Sequence, residues 1–239
     1  MDYPFKQTGV SQTVAALCFT LVQRNTGNMV EKISMTDRDA LQPSSGQLDE
    51  DIIGFDLVSL TRSTAQLRDG RLAFINDTRA TEEAVTFGEF AQLVRGYSSA
   101  LHGFGLQPGE CVLVAGCTGP RTFAALVGAL AAGLDAAVCG LHLDADEIGA
   151  FAKATRAAAI ISDPSDGDTA HCDLLFQTAA LANSVRLIIS VASDAPDGVV
   201  TMEAGQGASA PATTRAGRII TREESGKPVA HLQQTLITA

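Results

Sequence analysis

The fold is decided by residues 111–139, which read CVLVAGCTGPRTFAALVGALAAGLDAAVC. The first five residues are a continuous apolar run, which is typical of a strand buried on both faces of a parallel sheet. Pro120 opens a helix over residues 121–132, Gly133 ends it, and residues 136–139 form a second buried strand. A helix that joins two parallel strands is the repeating unit of α/β folds.

The same alternation continues on both sides of this unit. Thr86 and Glu89 have the spacing of a capping box, and the apolar residues after them predict a helix that ends at Gly103 or Gly105. Asp144 is expected to cap a later helix. The further elements are expected to be helices over residues 144–155 and 173–182, and strands at residues 158–162, 186–190 and 219–220. This order predicts an α/β fold with a doubly wound, mainly parallel sheet.

The chain divides into two parts at about residue 55. Residues 1–55 are polar and weakly patterned, and we expect them to be an N-terminal extension and linker. Residues 56–239 are expected to form the α/β subdomain. Its first elements are predicted to be an amphipathic helix, a short strand and a turn, at residues 56–66, 72–75 and Asn76-Asp77. The apolar residues 14–22 are too few to span a membrane, so no membrane span is expected.

Composition and charge exclude several classes of function. Of the 239 residues, 46% are hydrophobic, which is enough for a core. The net charge of −10 without a basic run argues against nucleic acid as a partner. The five cysteines show no C-x-x-C spacing, which predicts a reducing, cytoplasmic compartment without disulfides or structural zinc. His171 and His231 have no ligand partners at useful spacing, so we predict neither a metal site nor a catalytic residue.

Residues 218–230, RIITREESGKPVA, have the outline of a phosphate-binding loop. We expect a strand, a turn that contains Ser and Gly, and a helix that begins at Pro228. A phosphate loop needs glycines, which let backbone N–H groups turn toward the phosphate oxygens, and a cation that offsets their charge. Here the carboxylates of Glu223 and Glu224 lie in the turn, and Val229 stands where a lysine would be useful.

The motifs of this chain resemble those of the adenylate-forming enzymes, which include acyl-CoA synthetases, peptide-synthetase adenylation domains and luciferases. Thr86-Phe87-Gly88-Glu89-Phe90 and Gly105-Leu106-Gln107-Pro108-Gly109-Glu110-Cys111-Val112 are similar to the opening motifs of that family. The helix with Ala132-Gly133 and the segment from Asp146 to Ile161 continue the resemblance. It covers about residues 56 to 239, the first third or so of such an enzyme.

The resemblance implies that residues 221–230 take the place of the family's phosphate loop, T-S-G-[ST]-T-G-x-P-K-G. Four residues agree with that motif, and Lys227 fills its variable position; the candidate, degenerate binding residues are therefore Thr221, Ser225, Gly226, Lys227 and Pro228. Glu223 replaces the first glycine, Glu224 replaces a Ser or Thr, and Val229 replaces the lysine. The loop implies ATP and CoA as ligands only if it still binds, and the family's later motifs lie beyond Ala239.

Three functions are consistent with these observations. The preferred one is a truncated, non-catalytic domain of this family, a pseudoenzyme that acts as a binding or protein-interaction module. The second is one part of a split acid–CoA ligase that a partner chain completes. The third is an unrelated Rossmann-like domain that binds another small ligand at the turn from Gly116 to Arg121. Because a third of a larger domain exposes faces that would otherwise be covered, we expect a homo-oligomer or a partner protein.

Overall fold

The computed structural model describes residues 56–78, 81–117, 119–164, 169–192, 195–203 and 215–233. Its helices are α1 (Leu57–Arg68), α2 (Phe87–Gly103), α3 (Pro120–Ala131), α4 (Ala145–Thr155) and α5 (Thr169–Leu181). Its strands are β1 (Leu72–Thr78), β2 (Thr81–Thr86), β3 (Cys111–Ala115), β4 (Asp135–Cys139), β5 (Ala157–Ser162), β6 (Leu187–Ser190), β7 (Val200–Thr201), β8 (Ile219–Arg222) and β9 (Pro228–His231). Strands β3 to β9 form one sheet, and β1 pairs with β2 in a separate antiparallel hairpin.

The large sheet has the strand order β7-β6-β5-β3-β4-β8-β9. Every neighbouring pair is parallel except β8 and β9, which form an antiparallel hairpin at one edge. The chain passes from β3 to β4 on one side and then returns to place β5 on the other side of β3. The boundary between β3 and β5 is therefore the topological switch point of the sheet. This topology confirms the predicted α/β class with a doubly wound, mainly parallel sheet.

The sheet separates two apolar cores. Val112 and Val114 of β3 belong to the core that also holds residues of α2 and α3, whereas Leu113 belongs to the core that holds residues of α4 and α5. All five residues of β3 are buried. Both faces of this strand are covered by helices, which explains why its sequence is apolar without alternation.

Helices α2 and α3 approach each other closely at Gly128. A Cβ atom on this glycine would lie 3.1 Å from the carbonyl oxygen of Val94 and 3.1 Å from Cβ of Tyr97. Because one of these atoms belongs to the backbone, a Cβ atom at position 128 would require α2 to shift by a few tenths of an ångström. The small residues of α3 thus set the spacing of the layer.

The predicted capping box of Thr86 and Glu89 and the predicted cap at Asp144 are both present. Glu89 N–H donates to Thr86 Oγ1 over 3.2 Å, and Thr86 N–H donates to the Glu89 carboxylate over 2.8 Å. Asp144 accepts from the N–H of Glu147 over 2.8 Å at the start of α4. These caps satisfy backbone donors that the first helical turn leaves without partners. The N-terminal boundaries of both helices could therefore be predicted to the residue.

The predicted turn at Asn76-Asp77 is wrong. Strand β1 continues to Thr78, and Asn76 and Asp77 pair with Glu83 and Glu82 of β2. Pairing in a two-stranded hairpin uses backbone groups, so polar residues that often form turns can also occupy its strands.

The predicted helix that begins at Pro228 is also wrong. Pro228 is the first residue of β9, which pairs antiparallel with β8 at the edge of the sheet. Proline has no N–H to donate, but the first position of an edge strand does not require one. Proline at the first position of a helix and proline at the start of an edge strand are therefore difficult to distinguish in the sequence.

The predicted N-terminal extension and linker, residues 1–55, lie outside the described residues, so the division into two parts stays a prediction. Among the helices that the structure describes, none combines the length and the apolar character needed to cross a bilayer.

Candidate functional site

The candidate site lies at the edge of the sheet where the parallel strands have their carboxyl ends. Open α/β sheets bind ligands at this edge, in the crevice next to the topological switch point. The hairpin loop that joins β8 to β9, residues 223–227, lies at the same edge because β8 runs parallel to β4. The predicted binding residues Ser225, Gly226 and Lys227 are in this loop, and Thr221 and Pro228 flank it.

The loop closes on itself through its own polar groups. Gly226 N–H donates to the carbonyl oxygen of Glu223, and Glu223 N–H donates to that of Lys227, both over 2.9 Å. Gly226 has a φ of 84°, which permits the tight reversal. Lys227 N–H donates to Ser225 Oγ over 3.4 Å, and Ser225 Oγ donates to the Glu223 carboxylate over 3.3 Å. Three backbone N–H groups of the loop are thus directed inward, whereas a phosphate cradle directs such donors toward its ligand.

Thr221 is turned away from the loop. It is 5% exposed within β8, and its Oγ1 lies 2.8 Å from Nε2 of His231 on β9. Val229, at the position where the family motif has lysine, is half-buried in β9 and is paired with Thr221. The structure therefore brings the five predicted residues into one hairpin, with the Thr221 hydroxyl engaged across the strands.

Arg222 is held by an ion pair that the sequence analysis missed. Its Nη2 donates to the Glu147 carboxylate over 3.0 Å, and the two side chains are 22% and 41% exposed. Glu147 belongs to the capping box of α4. Its place as an acidic residue in the first turn of that helix was the only feature of the sequence that pointed to this ion pair. The pair fastens the hairpin to the N-terminus of α4, whereas Glu223 and Glu224 remain exposed carboxylates in the loop.

The turn that follows β3, from Gly116 to Arg121, is organised by packing. Gly116 has a φ of 73°, and a Cβ atom on it would lie 2.6 Å from Cδ1 of Leu141. Gly119 N–H donates to Thr122 Oγ1 over 3.2 Å at the start of α3. Glycine at position 116 is explained by backbone geometry and by the close contact with Leu141, without a bound ligand.

Ser162 and His171 meet at the switch point, a contact that the sequence analysis also missed. Ser162 is fully buried, and its Oγ donates to the carbonyl oxygen of Ala115 over 2.8 Å. His171 Nε2 lies 2.9 Å from the same Oγ. A hydroxyl has one proton to donate, so Ser162 must accept the proton of His171 Nε2. This polarity is opposite to that of a serine activated by a histidine base. The two hydrogen bonds of Ser162 instead join β5 to β3 and to α5.

Two of the buried cysteines, Cys111 and Cys139, are poorly suited to act as nucleophiles. Burial raises the pKa of the Cys111 thiol to about 11 and that of the Cys139 thiol to about 12. The thiolate is the reactive form of cysteine, and it is not populated at neutral pH with such values. Within the described ranges, no group of three or more His, Cys, Asp or Glu side chains is placed to hold a metal ion.

The family model of AMP-binding enzymes matches residues 61–228 of this chain. The matched span includes the switch point and extends through the hairpin loop to Pro228. Among curated proteins, no sequence match reaches significance.

Solved acyl-CoA ligases share the fold. A benzoate CoA ligase from Burkholderia xenovorans LB400 is 22% identical, with a TM-score of 0.59. The match covers 75% of this chain and 35% of that ligase. The acetoacetyl-CoA synthetase from Streptomyces lividans is 17% identical with a TM-score of 0.63, and 75% of this chain covers 30% of it. Coronafacic acid ligase from Pectobacterium brasiliense is 16% identical with a TM-score of 0.59, with coverages of 77% and 36%.

The chain thus spans about a third of the length of these solved structures. The order of its elements, the position of its hairpin loop and the family match agree with one another. They exclude an unrelated Rossmann-like domain. The chain belongs to the family of AMP-binding enzymes.

Proposed function

We propose that this chain is a binding module of the AMP-binding family that does not turn over nucleotide by itself. The observation that carries the proposal is the loop between β8 and β9, which is closed by its own hydrogen bonds and contains two carboxylates. Gly226 agrees with the family motif and has the positive φ that the reversal needs. Two residues that the motif uses for phosphate are replaced, since Glu223 takes the place of its first glycine and Val229 that of its lysine.

Electrostatics supports this proposal. A carboxylate about 4 Å from a phosphate oxygen costs about 1 kcal/mol in bulk water, and several times more where water is excluded. Glu223 and Glu224 both lie in the loop, and the guanidinium of Arg222 is already paired with Glu147. Lys227 is exposed and follows the turn, so it offsets only part of this negative charge.

A second candidate function, one part of a split acid–CoA ligase, is favoured by a different observation. The chain spans about a third of the ligases that share its fold, and in this candidate function a partner chain supplies the rest of that fold. This function requires that the loop bind ATP in its native sequence, which is the point on which the two candidates differ.

Isothermal titration calorimetry with ATP tests the proposal. The native chain is compared with a repaired variant that carries Glu223→Gly, Glu224→Ser, Val229→Lys and Ala230→Gly. We expect no heat of binding from the native chain and an affinity at least about 100-fold higher after repair. This follows from roughly 1 kcal/mol for each removed carboxylate and about 1.5 kcal/mol for a restored charge-assisted contact.

The matched control is Glu223→Gln with Glu224→Gln, which removes both charges but restores neither glycine nor lysine. It should gain only part of the affinity of the repaired variant. Circular dichroism would show that each variant is folded. Binding of ATP by the native chain would overturn the proposal and favour the split ligase.

A further inference from the structure

The charges of the described residues are divided between the two edges of the sheet. The amino edge of the five central strands, β6, β5, β3, β4 and β8, has five basic side chains and three carboxylates. The basic residues are Lys153, Arg156, Arg186, Arg215 and Arg218, and the carboxylates are Glu110, Asp135 and Asp56, which Gln233 holds next to the start of β8 through Leu57 and Gly217. This edge has a surplus of two positive charges in a chain whose net charge is −10.

The carboxyl edge of the same strands has the opposite sign. Its carboxylates are Asp144, Asp146, Glu147, Asp163, Glu223 and Glu224, and its basic residues are Arg121, Arg222 and Lys227. This leaves three negative charges in surplus among the described residues. The outer strand β7 adds one carboxylate at each edge, Asp197 and Glu203. The molecule therefore has a basic edge and an acidic edge, separated by the length of the strands.

Helix dipoles explain only some of these charges. Asp146 and Lys153 lie at the first and last turns of α4, where their charges complement the helix dipole. Arg186 and Glu224 lie in loops before β6 and after β8, so the dipole of α4 does not account for them. The difference in charge between the two edges is therefore larger than the stabilisation of helix ends accounts for.

We propose that two copies of this chain associate head to tail, with the basic amino edge of one copy on the acidic carboxyl edge of the next. The inference rests on the proposed function, because a carboxyl edge occupied by nucleotide would not accept a second copy. Both edges are formed by the ends of the same five strands, so they have the same length and outline. When one edge lies on the other, opposite charges can therefore face each other along the whole contact. Such a heterologous contact leaves one edge of each outer copy unoccupied, so further copies can bind there.

The charges differ in how far they are available to a partner. Arg215 and Arg218 are bound to the buried Asp135 carboxylate, and Arg186 is paired with Glu110 over 3.0 Å. Lys153 and Arg156 at the amino edge are exposed, as are Asp146 and Glu224 at the carboxyl edge. The pair between Arg222 and Glu147 keeps the hairpin loop next to the start of α4, so Asp146 and Glu224 belong to one surface. These four exposed residues are therefore the ones to substitute in a test of the contact.

Sedimentation velocity on the full chain tests the inference. At an ionic strength of about 0.05 M the sedimentation coefficient should rise with protein concentration, and at about 0.5 M this rise should disappear, since salt screens exposed charges. One variant carries Lys153→Glu and Arg156→Glu, which reverses the amino edge. The other carries Asp146→Lys and Glu224→Lys, which reverses the carboxyl edge.

Each variant alone should sediment as a monomer at low salt, because both of its edges have the same sign. An equimolar mixture of the two should associate again, since each variant offers the edge that the other lacks. A native chain that stays monomeric at low salt would overturn the inference, and so would a mixture that does not associate. Calorimetry with ATP reports separately on the proposed function, so a failure of either proposal can be recognised.

Discussion

At the scale of single residues, Asp135 is a buried charge that two arginines hold in place. Its side chain is 3% exposed at the start of β4, and its carboxylate accepts from Arg215 Nη2 over 3.0 Å and from Arg218 Nη2 over 2.6 Å. The backbone N–H of Arg218 donates to it over 3.0 Å. Burial raises the pKa of Asp135, but the hydrogen bonds from Arg218 and the charges of both arginines outweigh burial, and the net pKa is lowered.

This lowered pKa predicts a loss of stability in acid. A carboxylate whose pKa is lower in the folded than in the unfolded chain stabilises the fold above its unfolded pKa of about 3.9. That stabilisation is lost as the pH falls through the folded pKa. Asp135→Asn should cost about 1.5–3 kcal/mol at pH 7, the range for hydrogen bonds to charged groups.

The measurement is thermal unfolding of native protein and Asp135→Asn from pH 7 to pH 3. The difference between their melting temperatures should become smaller below about pH 4. In that range the Asp135 carboxyl of the unfolded chain is protonated, so its ionised form no longer stabilises the fold to the same extent. Glu224→Gln removes one charge from an exposed position and is the control, with a melting temperature close to the native one at every pH. A difference that stays constant down to pH 3 would contradict the assignment.

At the scale of secondary-structure elements, the close contact of α2 and α3 and the β8–β9 hairpin both depend on a single glycine. Gly128 permits the helices to approach, and Gly226 permits the hairpin to reverse with a φ of 84°. The two positions require glycine for different reasons, since space is limiting at Gly128 and backbone conformation at Gly226. Alanine substitutions at the two positions, each with its own control, test these reasons separately.

Gly128→Ala should destabilise the fold by about 1–3 kcal/mol, the typical cost of overpacking a well-packed core. The control is Gly103→Ala at the end of α2, where an added Cβ would meet no atom within 4 Å. That substitution should be neutral or stabilise by up to about 1 kcal/mol. Urea unfolding of both variants measures the difference, and equal stabilities would contradict the close contact.

Gly226→Ala should cost about 1–2 kcal/mol, because a side chain is strained at positive φ even where space is available. Gly226→Asn is the matched variant, since asparagine tolerates this conformation better than alanine does. Asparagine should therefore retain more of the native free energy of unfolding than alanine. If the two variants were equally stable, the left-handed conformation of residue 226 would not be the cause.

The elements that could be predicted are those whose signals are local. The capping box of Thr86 and Glu89, and the apolar run of β3, depend on residues within a few positions of each other. The errors at Asn76-Asp77 and Pro228 arose where one residue type serves two structures, and tertiary pairing decided between them. Local sequence contains no information about that pairing.

At the scale of the whole molecule, the class of fold was predictable and the arrangement of its contacts was not. Alternating strands and helices predict a parallel sheet, but they do not show that β5 lies on the far side of β3 from β4. The pair between Arg222 and Glu147 joins residues 75 positions apart, and the hydroxyl of Ser162 contacts Ala115 across 47 positions. These contacts follow from strand order, so they could be found only in the folded chain.

One of these distant contacts has a consequence for biosynthesis. The buried amide of Gln233 accepts from the N–H of Leu57, across 176 positions, and donates to the carbonyl oxygen of Gly217 over 2.8 Å. The start of α1 can acquire this contact only after residue 233 has left the ribosome. Contacts between distant residues form slowly, because the loop between them must first close. A nascent chain therefore lacks this contact at the start of α1 until late in its synthesis, and in that interval chaperones or proteases have easier access to this end of the helix.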